Sequence, residues 1–211
     1  MHLETALKGI IIGDRWPKSG VEVVVTILEG EEDQWCGDLK GTPTSGGTGG
    51  VSAGWGMMNV LAGCITVASA AIADAGIDCV DLVAGGVAAV VAGSDDRPGV
   101  GSTSTRPAQI VLDPCPAEHQ TIQAACVVGY LSSRDEITEL WMKGDMPGPE
   151  EKSNDTPNID DLINDAVRAA NGTRSVLAEA VKEAAMARLA PAGNQLAERD
   201  NKGDADVVMT T

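Results

Sequence analysis

The stretch from Met57 to Ile77, MMNVLAGCITVASAAIADAGI, constrains the fold more than any other part of this chain. Nearly every residue is apolar and most are small. No proline interrupts it before Asp74-Ala75-Gly76-Ile77, where a glycine can close a helix in a left-handed cap. The length raises the question of a membrane span. Asn59, Thr66 and Ser69 interrupt the apolar run, and no Lys or Arg flanks it closely, which predicts a buried central helix instead. Ala62, Gly63, Ala68, Ala70 and Ala71 let a strand approach closely, so this helix is expected to be the most buried element. The next segment, Val80 to Gly93, is a Val/Ala/Gly run that reads as two short buried strands.

The rest of the chain arranges itself around this centre. Leu3, Ala6, Leu7 and Ile10 predict a short helix over His2 to Ile12. Val21 to Leu28 carries apolar residues on both of its alternating faces, which predicts a strand covered on both sides. Residues 30–56 and 94–108 read as polar loops; the first is acidic and then rich in Gly, Ser and Thr, with no Gly-Lys-Ser/Thr to make a phosphate loop. Gln109 to Leu112 is a short strand running into Asp113-Pro114. Thr121 to Leu131 and Glu136 to Lys143 form a hairpin around Ser132-Ser133-Arg134-Asp135. A long helix follows, with Pro157 in its first turn, Thr156 as its cap, and Gly172 as a place to bend or split. Residues 191–211 are polar and charged, and read as a disordered tail. One α+β domain over residues 1–190 is the expected organisation.

Composition excludes several functions. Net charge is −16, and only Arg97 and Arg106 are basic between Lys40 and Arg134, so the chain alone offers no broad basic surface for nucleic acid. Phe is absent and aromatics are 2%, so Val, Ile, Leu and Ala must build the core. The five cysteines form no CxxC pair and read as buried free thiols in a reducing compartment. Cys115 and His119 are four apart, but no second pair completes a zinc site, so neither metal nor cofactor is expected. The opening Met1-His2-Leu3-Glu4 is polar and acidic, unlike a secretory signal.

Four pieces then fall in a familiar order. Trp16-Pro17-Lys18-Ser19 leads into Val21 to Glu29. The small-residue helix ends in Ala73-Asp74-Ala75-Gly76-Ile77 and is followed by Asp81-Leu82-Val83. Ile110-Val111-Leu112-Asp113-Pro114 runs a strand into a turn, and a long helix closes the series. Together these resemble the RNase PH-like family, and within it the non-catalytic ring subunits of the eukaryotic RNA exosome. The resemblance implies an RNase PH-like fold of the ribosomal protein S5 domain 2-like type. It implies the C-terminal part of that domain, with the N-terminal strands missing and strand edges and apolar helix surface left exposed.

Active members of that family cleave RNA from its 3′ end using phosphate, held by Gly-Thr/Ser-Arg at the start of the central helix. By the resemblance, that cradle falls on Asn59, Val60 and Leu61, none of which can bind phosphate by charge. Of two required acids, one matches Asp113 and the other falls on His119, beside Glu118. The resemblance therefore implies a structural, catalytically inactive subunit of the exosome core ring, supporting 3′–5′ RNA processing and decay. The alternative is an active phosphorolytic 3′–5′ exoribonuclease. Implied partners are other RNase PH-like ring subunits, S1/KH cap subunits, and RNA through the assembled ring, with no membrane. RNA contact would fall to Arg97 and Arg106, and the implied location is nucleus, nucleolus and cytoplasm.

Overall fold

The computed structural model describes residues 2–14, 17–28, 55–93, 106–115, 118–119, 122–146 and 157–189. The elements are α1 (His2–Lys8), α2 (Gly56–Asp74), β1 (Val83–Gly93), β2 (Arg106–Leu112), β3 (Ile122–Leu131), β4 (Glu136–Gly144) and α3 (Ile159–Leu189). The four strands form one antiparallel sheet in the order β2-β1-β3-β4. The chain is α+β, as the sequence leads one to expect.

The sheet lies between two helical layers. Val83, Val87 and Ala89 of β1 pack with α1, the turn after it and α2, through Leu7, Ile10, Met58, Ala62, Ile65 and Ile72. Ala88 and Val90, on the opposite face, pack with Leu162, Ala166 and Ala170 of α3. A strand covered on both faces has no polar side to spare, which is why β1 is written entirely in Val, Ala and Gly. Gly85 and Gly86 set the spacing of the layers. A Cβ on Gly85 would lie 2.2 Å from the Ala62 carbonyl oxygen, and one on Gly86 would lie 2.3 Å from that of Ala166. Each helix backbone therefore rests directly on strand backbone.

The ends of α2 are held by specific contacts. Gly76 adopts φ +71°, and the Ile77 N–H donates to the Ile72 carbonyl at 3.2 Å, forming the left-handed cap expected there. The Lys143 ammonium lies 5.1 Å from the centre of the Trp55 ring, tying the helix start to β4. On α1, the His2 ring stacks on Trp141 at 5.3 Å, and its Nδ1 lies 2.6 Å from Glu139 Oε1.

Several expectations need correction. Val80 to Gly93 is not two strands; a single strand runs from Val83, paired with β3 from Val83↔Leu131 to Val90↔Ala124. The first helix stops at Lys8, because Gly9 weakens a helix and Ile11 instead bridges Cys79. Val21 to Leu28 joins no sheet. Val23 and Val25 pack on the cluster around Ile65 and Ile72, while Val24 and Leu28 are 81% and 93% exposed. Only one of its faces is covered. The last helix runs unbroken through Gly172, and its cap is Asn158, whose Oδ1 accepts the Asp161 N–H at 2.8 Å. Pro157 precedes the helix rather than sitting in its first turn, and Thr156 lies outside the described residues. β2 begins at Arg106, so the second polar loop is shorter than 94–108. The greater part of both loops and the tail 191–211 lie outside the described residues.

The most buried element is also not the one expected. Ala124 to Leu131 of β3 is buried without interruption. In α2 only one face is buried, by Met58, Ala62, Ile65, Ala68, Ser69 and Ile72, while Met57 and Val67 are each 58% exposed. The helix is apolar all round, but the sheet is large enough to cover only one side of it. Nor does Gly63 mediate close approach: nothing lies within 4 Å of its would-be Cβ. The strand's glycines do that work.

Candidate functional site

β2 is shorter than β1, and the site follows from that mismatch. β2 pairs with β1 only from Ala88↔Leu112 onward, so among the described residues no strand lies beside Val83 to Val87 on that edge. In that gap α2 and α3 face each other across the free edge of β1, enclosing a slot of about 380 Å3. Its walls are Asn59, Ala62, Gly63, Thr66 and Val67 from α2; Gly85, Gly86 and Val87 from β1; Leu112 and Asp113 at the end of β2; and Ala169 and Thr173 from α3.

The free edge is satisfied by side chains rather than by a ladder. Ser69 Oγ accepts the Val83 N–H at 2.9 Å, and Thr66 Oγ1 accepts the Gly85 N–H at 3.0 Å. These hydroxyls, one helical turn apart on α2, cap the amides that a further strand would otherwise bind. This use of Thr66 and Ser69 escaped the sequence reading, where they marked only polar interruptions of an apolar run. Their spacing of three residues was the available signal. Where β2 ends, the Asp113 N–H donates to the Val87 carbonyl at 2.9 Å. Asp113 then turns away at φ +49°, a left-handed conformation that Asp tolerates better than most residues.

The structure brings together two of the five positions singled out from the sequence. Asn59 and Asp113 both line the slot, joined through the turn: Asn59 Nδ2 donates to the Pro114 carbonyl at 2.9 Å. Leu61 instead packs with both apolar clusters on the α2 side of the sheet. Val60 is half-buried and does not line the slot. His119 is half-buried outside the slot, its N–H donating to the Cys115 carbonyl at 2.9 Å, and its neighbour Glu118 is exposed. Arg106 opens β2, at the opposite end of that strand from Asp113. Arg97 lies outside the described residues.

The polar character of the slot is one-sided. Thr66 Oγ1 donates to the Ala62 carbonyl at 2.9 Å, and Thr173 Oγ1 to the Ala169 carbonyl at 3.1 Å. The Asn59 amide donates one of its two N–H groups to Pro114, so each hydroxyl and amide group of the wall makes at least one such bond. The exposed Asp113 carboxylate remains as an acceptor in the wall, whereas Asn59 Oδ1 is buried, closed off from the slot, and without a hydrogen-bond partner. Leaving such an oxygen unpaired costs about 1–3 kcal/mol. Among the described residues no Lys or Arg lines the slot. Among the described residues no three His, Cys, Asp or Glu side chains converge as metal ligands would.

The thiols differ among themselves. Cys126 is buried in the sheet, and burial pushes its pKa up to about 12. Cys79 is also raised, by burial and then by Asp81 and Asp78. Cys64, Cys79 and Cys115 are in no disulfide and only half-buried, so the expectation of buried thiols holds for Cys126 alone among these four. Cys36 lies outside the described residues.

Comparison with known proteins adds what geometry does not. The chain is 46% identical over 183 residues to the exosome complex component MTR3 of Chaetomium thermophilum, a match covering 87% of this chain and 56% of that relative. It is 25% identical over 142 residues to the exosome complex component mtr3 of Schizosaccharomyces pombe, covering 67% of this chain and 42% of that relative. The chain thus spans about half the length of the curated relatives it matches. No family model matches the chain.

Proposed function

We propose that this chain, similar over most of its length to the exosome complex component MTR3, is a structural and catalytically silent part of the exosome core ring. The extent of the similarity supports the ring assignment. One structural observation carries the silent part of the reading. At the start of α2, where the resemblance puts a phosphate cradle, Leu61 is committed to the core, and among the described residues the adjoining slot is lined by a carboxylate and no cation. A doubly charged anion needs donors and positive charge. A phosphorolytic exoribonuclease would need a cation there, and among the described residues none lines the slot.

In this reading the domain is RNase PH-like, and residues 1–190 form its C-terminal part. The uncovered outer face of α2 and the unpaired segment 21–28 then await further polypeptide, from the same domain or from neighbouring ring subunits. S1/KH cap subunits complete the assembly. RNA passes through the ring, touched by this chain at most through Arg97 and Arg106, and the ring works in nucleus, nucleolus and cytoplasm. The test is phosphate-dependent release of nucleoside diphosphates from an RNA 3′ end. The chain is expected to release none, and installing Gly-Ser-Arg at Asn59, Val60 and Leu61 is expected to create no activity, since His119 stands where the second acid is needed. Clean release by the unmodified chain would overturn the non-enzyme reading.

A further inference from the structure

A groove of about 740 Å3 runs between α1 and the extended segment 21–28, on the side of the molecule away from the slot. We propose that it is filled by the tail of this same chain, with Val207 and Met209 seated against its walls.

The groove itself says what kind of occupant it fits. Its apolar walls are Leu3 and Leu7 of α1, Ile11 just after it, Val21 and Val23 of the extended segment, and Ile72 of α2. Val21 is 43% exposed, and Leu3, Ile11 and Val23 are only half-buried. No backbone hydrogen bond joins residues 21–28 to another described residue. An apolar trough beside an unpaired extended backbone suits a second extended segment, with apolar side chains at alternate positions and its own N–H and C=O groups to offer.

The end of α3 supplies such a segment. Arg188 Nη2 lies 2.6 Å from Asp74 Oδ2, so the chain leaves α3 beside the end of α2, two residues from Ile72 in the groove wall. Residues 190–211 follow, outside the described residues. Residues 190–206 form a polar spacer that spans up to about 55 Å when extended, well beyond the width of a small domain. Val207-Val208-Met209 comes next, the one run of large apolar residues after Leu189. In an extended chain Val207 and Met209 share a face, and the flanking Val208 and Thr210 favour that conformation. Asp206 precedes the run, and Lys8 shares the groove's rim with Glu4. The tether supplies the segment at high effective concentration. The opposite face of the extended segment, with Val24 and Leu28, stays open to other polypeptides.

This inference does not rest on the ring reading, because both groove and occupant belong to the chain itself. The test uses the full chain in the assembly in which it is purified. A diazirine-bearing amino acid replaces Met209, and cross-links are mapped by mass spectrometry on a mixture of isotopically light and heavy chains. Cross-links are expected within one copy, to residues 3–11 or 19–23. Hydrogen exchange gives a second readout that needs no cross-linker. The amides of residues 21–25 are expected to exchange about tenfold faster in the double variant Val207→Asp, Met209→Asp than in the unmodified chain. The amides of Val127 and Val128 in β3 are expected to stay unchanged, showing that the variant folds. The proposal is overturned if position 209 cross-links to a second copy, to another polypeptide or to no part of the groove, or if the double variant exchanges like the unmodified chain.

Discussion

At the scale of single residues, the tightest constraints are two adjacent glycines facing opposite helices. A methyl on Gly85 or Gly86 would meet helix backbone at 2.2–2.3 Å, which no side-chain rotation relieves. Gly85→Ala and Gly86→Ala are each expected to destabilise the chain by about 3 kcal/mol or more, since a whole layer must move. Gly63→Ala, on the open side of α2, should be neutral or stabilising by up to about 1 kcal/mol. Chemical denaturation of the three variants separates these outcomes; equal effects would mean that the layers are spaced by something else. Cys126 gives a second residue-scale expectation. Its folded pKa is raised to about 12 from an ordinary value of 9.0. The neutral thiol is therefore favoured by the fold, and its contribution is complete below about pH 9 and lost as pH rises toward 12. Tyr130 acts in the same direction, raised first by its hydrogen bond to Asp135. Thermal melts should fall above pH 9, and less steeply in Cys126→Ala. A pH-independent melting temperature up to pH 11 would contradict the burial of this thiol.

At the scale of elements, legibility followed periodicity and capping. The helix over Met57 to Ala73 and the hairpin after Thr121 were readable because their signals are local: a long apolar run closed by Gly76, and two apolar stretches around a four-residue turn. The segment 21–28 was misread because alternating valines report extended backbone but not whether a partner strand is present. The extent of burial in α2 was misread for a related reason. An all-apolar helix is expected to be covered all round, and composition cannot say how many layers are at hand. Gly172 looked like a break, yet α3 is continuous there with open space around its would-be Cβ. Gly172→Ala should therefore stabilise the chain by about 0.5–1 kcal/mol; destabilisation would indicate a bend at this position. Ala68, fully buried on the inner face of α2, should tolerate Leu poorly, at a cost of about 1–3 kcal/mol, whereas half-buried Ala70 should tolerate it better. Thermal stability of the two variants tests which face of the helix meets the sheet. In the candidate site, Asn59 and Asp113 were legible from resemblance, but the slot was not. It exists because β2 stops at Leu112 while β1 reaches back to Val83, a mismatch between segments distant in sequence.

At the scale of the whole molecule, the chain combines a well-packed three-layer centre with apolar surface that nothing in the described residues covers. Val24, Leu28, Met57, Val67 and Val176 are each more than half exposed. Scattered apolar residues are ordinary on a protein surface, but the outer side of α2 has no charge along its length before Asp74. Together with the similarity to exosome components, this points to a chain that works in association with other polypeptides. The most direct measurement is affinity purification of the tagged chain from cells of its source, with the stoichiometry of every co-purifying protein determined. The exosome's RNase PH-like ring subunits are expected at one copy each, retained through a wash at moderate salt. Recovery of a stable, monodisperse monomer without those subunits would contradict it.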